Sequence, residues 1–134
     1  ILTELPFGNR TLKLRVTGTM IQEMLENAVS DVENGAGRFL QISGFKFTYD
    51  PTAPSGQRVR DVTVAGKALV PGASYTLATN EFLARGGDGY AMLAEVPRII
   101  DLASARLTVN QVIDAIEAAG TATGSVEGRI KTVE

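Results

Sequence analysis

The sequence has 134 residues, with 13 Lys plus Arg against 15 Asp plus Glu, a formal charge of −2, and no His, Cys or Trp. Without Cys there is no disulfide, thiolate zinc site, iron–sulfur ligand or Cys nucleophile. Without His there is no Ser-His-Asp triad, no His-bearing metal site and no side chain that ordinarily titrates near neutrality. A complete hydrolytic centre within this chain is therefore not expected, and the near-neutral charge argues against a dedicated nucleic-acid binder. The length suits one domain, spanning 1–134, that buries roughly two-thirds of its unfolded surface. No apolar run approaches the roughly 20 residues of a membrane span. The first residues are already apolar (Ile1, Leu2, Leu5, Phe7) and there is no initiator Met. The chain reads as a segment of a longer protein, with any targeting signal expected upstream. Zero Cys fits both the cytosol and a bacterial periplasm.

In chain order, Leu12, Leu14 and Val16 alternate with Lys13, Arg15 and Thr17, the period of a half-buried strand. Met20, Ile21, Met24, Leu25, Ala28, Val29 and Val32 then fall on one helical face, read as core. Thr19 with Gln22 fits a capping box at the start, and the run 34–37 (Asn-Gly-Ala-Gly) fits a stop. Residues 39–49 read as one long strand with Phe45, Phe47 and Tyr49 on one face, Gly44 marking a bulge or a close backbone approach. A loop over 50–56 follows, then a strand over 58–64, a turn at Ala65-Gly66, a return strand over 67–70 and a turn at Pro71-Gly72. Tyr75, Leu77 and Thr79 alternate in a further strand. Residues 80–90 form a short segment running into a glycine-rich loop. Val109 to Ala119 is a helix stopped by Gly120. The tail over 121–128 is loose, with Arg129-Ile130 a last ordered contact. This order predicts an α+β fold with a mixed or largely antiparallel sheet and flanking helices, not alternating βαβ units.

Two stretches carry candidate chemistry. In Gly86-Gly87-Asp88-Gly89, the glycines allow unusual φ and close ligand approach, and Asp88 offers a carboxylate to a diol such as ribose. A tight turn in which Asp caps its own backbone is the commoner reading of such a string. It is neither a phosphate loop nor a dinucleotide fingerprint, and it lacks the remaining carboxylates of an EF-hand. Phe39 and Phe82 sit beside glycine or polar residues at element edges. Two such rings are able to sandwich a planar base, although Phe is more often simply buried. Arg38, Arg58, Arg60 and Arg85 suit phosphate, with solvated surface charge the commoner role.

The same stretches resemble the C-terminal domain of the 5′-nucleotidase family, which includes ecto-5′-nucleotidases, UDP-sugar hydrolases and 2′,3′-cyclic-nucleotide phosphodiesterases. The resemblance rests on Leu5-Pro6-Phe7-Gly8-Asn9, on residues 37–44 (Gly-Arg-Phe-Leu-Gln-Ile-Ser-Gly), on Tyr49-Asp50-Pro51 with Gly56-Gln57-Arg58-Val59, on residues 79–90, and on Gly128-Arg129-Ile130. These blocks run in order over nearly the whole chain. The resemblance implies a substrate-binding domain that holds a nucleotide or nucleoside. Phe39 and Phe82 would clamp the base, Asp88 would hold the ribose hydroxyls, and Gly86 and Gly87 would allow the close approach. It implies no catalytic or metal-binding residue in this chain. Two divalent metal ions and the hydrolytic groups would sit on a separate N-terminal metallophosphoesterase domain of the same protein. An Asn-Gly-Gly-x-x-Arg segment that the family uses for base edge and phosphate is expected upstream of Ile1, so Arg38 and Arg85 are not assigned to that task. The resemblance also implies a periplasmic, secreted or cell-surface location and phosphatase activity only in the whole protein, the isolated chain being inactive. The rival expectation is a non-catalytic nucleoside-binding module, or a degenerate one kept for protein contacts.

Overall fold

The computed structural model describes residues 1–133. In chain order the elements are β1 (Thr11–Thr17), α1 (Gly18–Ala28), β2 (Phe45–Tyr49), β3 (Val59–Val64), β4 (Lys67–Ala68), β5 (Ser74–Asn80), α2 (Glu81–Ala84), β6 (Arg98–Ile100), α3 (Thr108–Ala119) and β7 (Ile130–Thr132). The strands form two sheets rather than one. The first is three-stranded and antiparallel, in the order β5-β1-β6. The second is four-stranded and mixed, in the order β4-β3-β2-β7, with β7 parallel to β2. The expected α+β class therefore holds.

β1 buries Leu12, Leu14 and Val16 and exposes Lys13 and Arg15 between them, as its alternation dictates. α1 turns Ile21, Met24, Leu25, Ala28 and Val29 onto the same core, where Phe47, Val59 and Val62 of the second sheet meet them. Fully burying each large aliphatic here contributes about 1.5–3 kcal/mol. The strand passes directly into the helix at Gly18, where a Cβ would stand 2.2 Å from the Val70 carbonyl oxygen. The cap is consequently Thr17, still extended at ψ 163, whose side chain accepts the Met20 N–H at 3.3 Å. The expected cap, Thr19, is already helical and spends its hydroxyl on the Pro71 carbonyl.

α1 stops at Ala28, short of Val32, because side chains compete for its last carbonyls. The Ser30 hydroxyl donates to the Asn27 carbonyl at 2.8 Å, and Arg58 donates Nη1 to the Val29 carbonyl at 2.7 Å. A single 3₁₀ turn, Val32–Asn34, closes on Gly35 at φ +64, a left-handed position that favours glycine.

The long strand expected over 39–49 exists only from Phe45. Gly44 breaks the run at φ +84, with no atom crowding its missing Cβ, so it marks a turn rather than a bulge or close approach. Before it, the carbonyls belong to other side chains: Arg38 O accepts from Tyr90 and Ile42 O from Arg129 Nη1. Residues 36–44 thus become a shaped loop. Two short strands escape the pattern. β6 is exposed at all three positions, and β7 follows a loose tail, so neither has an alternation to read.

Candidate functional site

Two loops that are distant in sequence meet at one cavity of about 610 Å3, walled by Phe7, Asn9, Arg38, Phe39, Gln41, Asn80, Phe82 and Asp88 among others. It unites the two predicted rings and the predicted carboxylate. Cavities of about 480 and 660 Å3 lie between the sheets and behind Phe39, and neither includes Phe82 or Asp88.

The Phe82 arm is built by capping and by glycine. Asn80 Oδ1 accepts the Leu83 N–H at 2.9 Å and starts the single turn of α2. That turn buries Ala84 and leaves Phe82 48% exposed at the cavity. Beneath the ring runs the backbone of Gly87. A Cβ there would lie 2.5–2.7 Å from three atoms of the Phe82 ring, so the missing side chain is what lets the ring lie where it does. Gly86, at φ +92, starts the loop. Gly86 and Gly87 shape this arm rather than wall the cavity.

Asp88 adopts φ +53, a left-handed conformation for a residue with a Cβ, at a cost of about 1–3 kcal/mol. Asn27 of α1 holds it there by donating Nδ2 to the Asp88 carbonyl at 3.0 Å. The carboxylate is exposed, and among the described residues it makes no hydrogen bond or ion pair. It is a free acceptor at the edge of an aromatic-walled cavity.

The Phe39 arm is fixed differently. Phe39 is half-buried and meets Tyr49 edge-on, with centroids 6.4 Å apart at 65°. Its N–H donates to the Ala36 carbonyl at 3.2 Å. Tyr90, fully buried, donates its phenol to the carbonyl of the preceding residue, Arg38. Burial pushes the Tyr90 phenol up to about 12, so it stays a protonated donor throughout the physiological range.

The arginines divide. Arg58 is 5% exposed and is neither surface charge nor phosphate ligand. Its Nη atoms form a paired bond with Glu33 at 2.8 Å, and its Nε donates to the Ala53 carbonyl. Arg60 bonds its local backbone, and Arg85 is exposed beside Glu81. Only Arg38 reaches the cavity wall, and its Nη1 leans on Ser30 Oγ at 3.4 Å.

The chemistry on offer is stacking and hydrogen-bond acceptance. Among the described residues no group of three His, Cys, Asp or Glu side chains is placed to hold a metal ion. The donor set among these residues therefore does not fit a metal centre.

The family model described as 5′-nucleotidase, C-terminal domain, matches residues 1–95. The chain belongs to that family. The 5′-nucleotidase C-terminal domain in this sequence is 34% identical over 139 residues to the trifunctional nucleotide phosphoesterase protein YfkN of Bacillus subtilis, covering 99% of this chain and 9% of that protein. It is 34% identical over 134 residues to the snake venom 5′-nucleotidase of Crotalus adamanteus, covering 94% and 22%. The 5′-nucleotidase precursor of Thermus thermophilus superposes with a TM-score of 0.90 at 34% identity, over 99% of this chain and 27% of that one. The chain thus spans under a third of each of these relatives. No helix among the described residues is long and apolar enough to cross a membrane.

Sequence reasoning placed no role on Phe7, Asn9, Asn27 or Tyr90. Phe7 is 84% exposed between Pro6 and Gly8, and a large aromatic in so short a turn was the signal available. Nothing local marks Asn27, which acts from a helix otherwise read as core.

Proposed function

We propose that this domain is the nucleoside-holding part of a 5′-nucleotidase-like phosphohydrolase. Phe39 and Phe82 clamp the base, and the Asp88 carboxylate accepts hydrogen bonds from the ribose hydroxyls. Gly86 and Gly87 contribute indirectly, by letting the loop turn beneath the Phe82 ring. The phosphate ester is thereby presented to metals and hydrolytic groups on a separate N-terminal domain of the parent protein, a positioning role. A secreted, periplasmic or cell-surface location belongs to the same reading. The observation that carries it is the meeting of two rings and an unpaired carboxylate on one cavity wall, in a domain of this family.

Titration with adenosine and with 2′,3′-dideoxyadenosine tests it. Asp88→Ala is expected to weaken adenosine by roughly 10-fold or more, the value of a hydrogen bond to a charged acceptor. It is expected to leave the dideoxy compound unchanged. Equal losses for both ligands, or none for either, would remove Asp88 from ribose recognition. Phosphatase activity in the pure 134-residue chain would contradict the division of labour.

A further inference from the structure

The two arms are joined beneath the cavity by polar contacts that the clamp itself does not use. Tyr90 Oη donates to the Arg38 carbonyl at 2.5 Å, although the two residues are 52 positions apart. Arg38 Nη1 donates to Ser30 Oγ at 3.4 Å, and Ser30 Oγ donates to the Asn27 carbonyl at 2.8 Å. Asn27 Nδ2 donates to the Asp88 carbonyl at 3.0 Å, and two peptide links lead from Asp88 back to Tyr90. The path closes on itself. It fits because Gly89, at φ +83, has no side chain: a Cβ there would stand 2.7 Å from Asn27 Oδ1.

We propose that this circuit is a brace and that the Tyr90 hydroxyl is its positioning group, fixing the Phe39 loop relative to the loop bearing Phe82 and Asp88. The proposal rests on the reading of the cavity as a nucleoside site. Among the described residues, the hydroxyl makes the one side-chain hydrogen bond running directly from one loop to the other. Its acceptor is the carbonyl immediately before Phe39, and its own residue lies two positions after Asp88. A tyrosine phenol, neutral at physiological pH even when exposed, keeps donating there, so the brace does not slacken with pH over that range. Local opening of loops costs less free energy than global unfolding, so the loss of a tie between two loops is read in the exchange of those loops beyond any general loss of stability.

Tyr90→Phe removes only the hydroxyl and keeps the buried ring, so the variant is expected to fold. In the free protein, amide hydrogen exchange is expected to rise by roughly 5-fold or more in residues 36–41 and 86–90 together, with β1 and the middle of α1 unchanged. At saturating adenosine, the ring-current shift of adenine H8 is expected to shrink, because the ring spacing relaxes even when every site is filled. A merely structural role would instead raise exchange everywhere in proportion to lost stability, and would leave the saturated shift intact. Asn27→Ala is the second variant, expected to loosen 86–90 while 36–41 stays protected through Tyr90. Phe82→Ala separates the two claims. If it leaves adenosine binding unchanged, the nucleoside reading fails and the exchange data alone judge the brace. If Phe82→Ala weakens adenosine while Tyr90→Phe changes neither exchange nor shift, the brace is wrong and the nucleoside reading stands.

Discussion

Phe39 and Phe82 wall the same cavity, but the first is wedged into the fold and the second is laid upon it. Phe39 is half-buried, edge-on to Tyr49, on a loop tied by Tyr90 and preceded by the 3₁₀ turn whose Glu33 pairs with Arg58. Phe82 is 48% exposed and rests on the bare backbone of Gly87. One ring is held by the core on several sides, and the other is held from beneath by the Gly87 backbone. In the proposed clamp, that asymmetry would confine most of the ordering cost of binding to the less buried ring.

The largest expected effect falls on the fixed wall. Arg58→Ala removes a buried cation that bonds the Val29 and Ala53 carbonyls and Glu33. Thermal unfolding should show Tm lowered by roughly 10 °C, since the truncation empties a buried volume and leaves the Val29 and Ala53 carbonyls without their donor, while the exposed Glu33 is simply rehydrated. An unchanged Tm would mean that Arg58 anchors nothing. Next comes Gly87→Ala. Its backbone is outside the left-handed region, so the added methyl acts mainly by displacing the Phe82 ring. Adenosine affinity should fall by roughly 10-fold with Tm nearly unchanged, about the value of one lost stack.

The two truncations of the rings sharpen the comparison most cleanly. Phe39→Ala should cost about 1–3 kcal/mol of stability as well as affinity. Phe82→Ala should cost affinity while staying within about 0.5 kcal/mol of wild type. Chemical denaturation of both variants reads this out, and equal destabilisation would erase the distinction drawn between the walls.

The smallest effect is an acid one. The Arg58 hydrogen bonds hold the Glu33 carboxyl down to about 2, from an ordinary 4.5. Because the folded value lies below the unfolded one, the contribution is complete above about pH 4.5 and is lost as pH falls towards about 2. The gap in urea midpoint between wild type and Glu33→Gln should therefore close across that window. A constant gap would contradict the pairing.

The parts of the fold that the sequence discloses are those built from local period. β1 and the core face of α1 bury the residues their alternation and helical spacing select, and α3 ends at Gly120 as its pattern requires. What stays hidden depends on distant partners. Arg58 looks like surface charge until Glu33 and the Val29 carbonyl surround it. Residues 39–44 look like strand until Tyr90 takes the Arg38 carbonyl just before them and Arg129 takes that of Ile42. β6 has no buried face to betray it. At the candidate site, Phe39, Phe82 and Asp88 were singled out by the family resemblance of the motifs that carry them, since a Phe or Asp beside glycines reads by itself more often as core or turn. Asn27 and Tyr90 were not, because a helix residue and a core tyrosine carry no local mark of the loops they tie.

The most direct test of the central claim, that two rings clamp a base, is an NMR titration of adenosine. A base held between two ring faces feels the shielding of both, so adenine H2 and H8 should move upfield on binding to the wild-type chain. About half of that movement should persist at saturation in Phe82→Ala and in Phe39→Ala. Saturable binding with no upfield shift, or a shift that both variants leave whole, would contradict the clamp.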